Sequence, residues 1–164
     1  MSNTSHVEPA GINRRTALKA FGASVGSIAL LPLISEEGAM AYEALQRANA
    51  APALKALTKA QYATVDAIAE AIIPTDAHSP GARAARVADY IDLLLSEANP
   101  QVRERWVAGV AALDEASVAK FKVPFVKLSA TQTTALLTEI SANEAKPTTP
   151  VEQFFRTAKD ATVR

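Results

Sequence analysis

The chain has 164 residues, 17 basic and 17 acidic side chains that cancel to zero net charge, and no cysteine. Zero net charge weighs against a nucleic-acid binder, which usually shows a basic patch. Without cysteine it has no disulfide, no thiolate zinc site, no covalently attached haem, no cysteine-ligated iron–sulfur cluster and no thiol nucleophile. Hydrophobic residues make up 49% of the sequence, enough for a modest core, and the length allows one domain beside a processed segment.

The N-terminal segment is organised as an export leader. Arg14, Arg15 and Lys19 give a basic start, and Ala20 to Ile34 is an uncharged apolar run diluted by Gly22, Ser24, Gly26 and Ser27. Ala39-Met40-Ala41 follows, and the small residues Ala39 and Ala41 mark a cleavage site before Tyr42. A second candidate, Ala48-Asn49-Ala50, lies slightly downstream. The core RRTALK resembles a twin-arginine export signal: Arg14, Arg15, Leu18 and Lys19 match it, and Ala17 stands where phenylalanine is usual. The apolar run is short and broken by Pro32, against the roughly 20 residues of a membrane span. The expectation is a cleavable leader over residues 1–41 and a periplasmic body.

Residues 42–57 read as a loose helix or linker, and 58–164 as a helical domain. Thr58 with Gln61 forms a capping box, followed by Tyr62, Val65, Ile68, Ala69, Ile72 and Ile73 at helical spacing. Pro74 ends this helix and opens the loop Pro74–Ala82. A second helix is predicted over 83–97, with Val87, Tyr90, Ile91, Leu94 and Leu95 on one face. Pro100 starts a third, which carries Val102, Trp106, Val110 and Leu113 to about Ala119. Ser129 with Gln132 caps a fourth helix, and Thr149 with Pro150 opens a fifth bearing Val151, Phe154, Phe155 and Ala158. No segment alternates as a strand does, so the fold class is all-α, a compact bundle of about five short helices.

Few residues in the body suggest chemistry. His78 is the only histidine beyond the leader; with Asp76 it would suit a metal or an acid–base pair, but Thr75, Asp76, Ser79, Pro80 and Gly81 are ordinary turn residues. Asp89 and Asp92 lie opposite the apolar face of the second helix, where a solvated pair is expected. Arg83 and Arg86 open the same helix against its dipole and invite carboxylates from a partner. Trp106 falls in register with the core. Phe154 and Phe155 are consecutive, so one ring is expected to point outward and mark an interface. No catalytic, cofactor-binding or metal-ligating residue is assigned.

The order of the pieces carries more than any one of them. "AIAEAIIPTD" (67–76), "SPGARAARVADYIDLLL" (79–95), "GVAALDEAS" (109–117), "FVKLSATQTTALLTEI" (125–140) and "FFRTAKDATV" (154–163) together resemble the gluconate 2-dehydrogenase subunit 3 family. The resemblance implies a small accessory subunit of a periplasmic, membrane-associated sugar or sugar-acid dehydrogenase. It implies that FAD sits in a large partner oxidoreductase subunit, that haem c often sits in a multihaem cytochrome c subunit, and that the twin-arginine translocase exports the assembly. It also implies a Gly- and aromatic-rich tail beyond the last helix, whereas this sequence stops at Arg164. The competing expectations are a stand-alone periplasmic helical binding protein and a membrane-tethered structural protein with an uncleaved leader.

Overall fold

The structure is a computed structural model that describes residues 36–48 and 53–163. Arg14, Arg15, Leu18 and Lys19, which the sequence suggests as an export signal, lie outside the described residues. The described chain is helical, without strands. Its helices are α1 (Glu36–Ala48), α2 (Lys59–Ile72), α3 (Gly81–Ala84), α4 (Val87–Glu97), α5 (Pro100–Phe121), α6 (Ala130–Ser141) and α7 (Pro150–Thr162), with a 3-10 turn at Phe125–Lys127.

The helix starts follow local chemistry. Thr58 Oγ1 accepts from the Gln61 amide and the Gln61 side chain returns to the Thr58 N–H, a complete capping box. Ser129 with Gln132 and Thr149 with Glu152 repeat it at α6 and α7. Asn99 caps α5 ahead of Pro100. The long α5 ends at Lys122 in the left-handed region, φ 65°. There Ser117 Oγ, fully buried, donates to the Val123 carbonyl at 2.8 Å, and the Asp114 carboxylate accepts from the Phe125 amide at 2.9 Å. These two bonds seat the 3-10 turn and bury the Phe125 ring.

The single helix predicted over 83–97 is in fact two. Arg86 adopts φ 55°, ψ 40°, a left-handed conformation that ends α3 and restarts the chain as α4. Such a conformation strains a residue with a Cβ. Arg86 is held in it by its ion pair with Asp89 at 2.8 Å, three residues on.

The core is built from Val65, Ile68, Ile91, Leu95, Leu113 and their neighbours. Helix α7 packs against α5, α2 and α6, and α4 packs against α1, α2, α3 and α5. Two sequence expectations change because of this. Phe154 and Phe155 are both buried, at 4% and 7% exposure, because successive residues on α7 face different neighbours. Phe154 meets Trp106 edge-on, with ring centroids 5.5 Å apart, while Phe155 turns toward α2 and α6. Asp89 and Asp92 are buried too, at 6% and 3%, because α4 has helices on several sides and no broad solvated face.

Candidate docking groove

The buried acids of α4 serve the backbone and the ion-pair frame, and they point to separate clients. Asp92 accepts three amides of the segment leading into α2: Lys55 N–H on Oδ2 at 2.7 Å, and Ala56 and Leu57 N–H on Oδ1 at 3.0 and 2.7 Å. A carboxylate so used satisfies donors that precede a helix and have no ladder of their own. Asp89 takes the Arg86 guanidinium and the Tyr62 hydroxyl. Burial, then the charges of Asp89 and Asp66, push the Tyr62 phenol up to about 12.

The loop between α2 and α3 is organised by Glu70. Its carboxylate accepts the Thr75 amide (2.9 Å), the Thr75 hydroxyl (2.8 Å) and the Arg83 amide (3.0 Å). Partial burial pushes the Glu70 carboxyl up, but the Arg83 amide and the Thr75 donors outweigh it and hold it below its ordinary value. The same turn needs Gly81 at φ 77°, where a Cβ would lie 2.7 Å from the Thr75 nitrogen and 2.9 Å from Glu70 Oε1. Asp76 Oδ1 accepts the amides of His78 (2.7 Å) and Ser79 (2.8 Å), so this carboxylate closes a turn. Among the described residues no three His, Asp or Glu side chains converge as a metal site would require.

Beside this frame lies an open groove of about 710 Å³. Ala67, Ala71 and Ile72 of α2 line it, as do Thr134 and Leu137 of α6, with Phe155 of α7 beneath. Charged groups at its edge are already engaged. Arg83 Nε contacts Asp66 Oδ2 at 2.7 Å, and Lys159 Nζ contacts both Glu144 oxygens at 2.7 and 2.9 Å. The hydroxyls of Thr134 and Ser141 donate to carbonyls of their own helix. What the groove offers is a mixed surface, apolar side chains interspersed with the hydroxyls of Thr133, Thr134, Thr138 and Ser141, with its edge charges paired.

Sequence-predicted site residues therefore separate into four places. Arg83 lines the groove, 58% exposed; Arg86 turns inward to Asp89, 14% exposed. Phe155 is a groove lining and Phe154 belongs to the packing on α5. Ala39 and Ala41 fall inside α1. Glu70, Asp114 and Glu152 were not singled out from sequence. Glu152 had a local signal, three residues after its cap Thr149, while the partners of Asp114 include a residue 50 positions away.

The family model for gluconate 2-dehydrogenase subunit 3 matches residues 59–164. The chain belongs to the gluconate 2-dehydrogenase subunit 3 family. No curated protein and no solved structure matches it. In this subunit 3 chain the match opens at Lys59, the first residue of α2, and takes in the Glu70 turn, both walls of the groove and α7. Helix α1 and the Asp92-bound segment at 55–57 lie before the matched region.

Proposed function

We propose that this chain is a non-catalytic small subunit of a membrane-associated, FAD-dependent sugar or sugar-acid dehydrogenase complex. It binds the folded flavin subunit, stabilises it and carries it through twin-arginine export to the periplasm. The observation that carries this reading is the family match over 59–164. The body supports it: its buried acids are committed to holding turns and helix starts. In this reading FAD belongs to the large subunit, and haem c to a cytochrome where one is present.

The groove is the docking face. Its apolar floor and engaged edge charges favour an uncharged, amphipathic helix of the flavin subunit over a charged segment, which would be desolvated there without a counter-charge. The export half of the proposal is tested by Arg14→Lys with Arg15→Lys in cells that also make the flavin subunit. The flavin subunit should then stay in the cytoplasm. Its normal appearance in the periplasm would remove the escort role.

A further inference from the structure

Helix α1 contains the tripeptide that marks the leader's cleavage site. Ala39-Met40-Ala41 lies within Glu36–Ala48, and Tyr42 follows it in the same helix. Ala39 and Met40 are exposed, but their backbone is helical. A helical backbone directs its amides to its own carbonyls four residues back. A protease that binds its substrate as an added extended strand needs those same groups. Exposure of the side chains is therefore not access to the bond.

The helix is also docked, and the docking residue is the one after the scissile bond. The Tyr42 hydroxyl donates to the Ala85 carbonyl at 2.5 Å, and its ring lies 5.2 Å from Tyr90 of α4, tilted by 58°. Ala85 is where the chain leaves α3, immediately before the left-handed Arg86. The break in the predicted long helix thus brings Ala85 and Tyr90 together as a seat for Tyr42. Cutting between Ala41 and Tyr42 would leave only residues 42–48 of this helix, well below the roughly 12 residues at which an isolated helix becomes marginal.

We infer that α1 guards the cleavage site it contains: the Ala41–Tyr42 bond is cut only when Tyr42 leaves its seat on Ala85 and Tyr90. Docked helix and processed terminus exclude one another, so a chain that folds before the peptidase reaches it keeps its leader. This rests on reading Ala39 and Ala41 as a processing site, and the experiment separates the two claims.

The full chain, purified with its leader, is incubated with signal peptidase and followed by intact mass, beside a synthetic peptide of residues 30–50. The peptide should be cut before Tyr42 and the full chain at least about tenfold more slowly, since cleavage follows the population of the open form. Tyr90→Ala leaves the cleaved sequence intact and should speed cutting of the full chain about tenfold. Tyr42→Phe keeps the ring, removes the bond to Ala85, and should speed it about fivefold in the full chain while leaving the corresponding peptide unchanged. Equal rates for peptide and full chain, or no acceleration by either variant, overturn the guard. A peptide left uncut at this bond overturns the processing site itself, and the proposal with it.

Discussion

Phe154 of α7 rests on the backbone of Gly109 in α5. A Cβ at position 109 would lie 2.6 Å from Phe154 Cγ and 2.9 Å from its Cβ, inside any normal contact. Trp106, one turn earlier, meets the same ring edge-on. The glycine is tolerated mid-helix because it lets α7 approach α5 closely, and α7 in turn supplies the floor of the groove.

Gly109→Ala should therefore destabilise the fold by about 1–3 kcal/mol, although alanine is the better helix former. Urea unfolding measures it. Combined with Phe154→Ala, the second substitution should cost clearly less than it does alone, because the clash is with the ring that has been removed.

Asp92 gives a local test. Asp92→Asn keeps one acceptor oxygen but can turn an NH₂ toward an amide that needs an acceptor, at a cost of about 1–3 kcal/mol. Hydrogen exchange should show protection retained at Ala56 and Leu57, which share Oδ1, and lost at Lys55, which uses Oδ2. Uniform loss across the three would mean that the segment has detached.

The acid limb of stability belongs in part to Glu152. The Asn143 side chain, with the Thr148 and Thr149 amides, holds its carboxyl down at about 2 against an ordinary 4.5. A depressed carboxyl contributes stability that is present above pH 4.5 and lost as pH falls toward 2. Glu152→Gln should lower the melting temperature at neutral pH and flatten its fall across that window.

The alkaline limb has the opposite sign. Tyr62, raised from 10 to about 12, is neutral in the fold where the unfolded chain has begun to ionise. Its contribution is full below pH 10 and lost as pH rises toward 12. Tyr62→Phe should flatten the decline over that range, read as melting temperature against pH.

In the groove, Thr134 is exposed on α6 and its hydroxyl donates to the Ala130 carbonyl of its own helix, so Thr134→Arg should leave thermal stability nearly unchanged. It should sharply reduce co-purification of the flavin subunit, because it sets an uncompensated charge on the docking face. Unchanged recovery of that subunit would move the interface elsewhere.

Helix starts were legible in the sequence because their chemistry spans three or four residues. The Thr58, Ser129 and Thr149 caps all stand where the sequence places them. The break at Arg86 was not legible, since nothing in "GARAARVADY" demands a left-handed residue; the Asp89 partner rewards one only after α4 has packed. The burial of Asp89 and Asp92 has no local signal, because their partners are residues 62 and 55–57, far away in sequence. Neither Phe154 nor Phe155 points outward, because α7 is not one-sided: three helices surround it. The groove has no local signature either, because its walls come from helices more than 50 residues apart.

The central claim is that this chain works as the bound partner of a flavin subunit. It is tested most directly by making a C-terminally tagged chain together with that subunit, purifying through the tag and recording the absorbance spectrum. The account predicts a stoichiometric complex with a flavin band, lost in Thr134→Arg. A colourless chain purified alone, from cells in which the flavin subunit is folded and active, would contradict it.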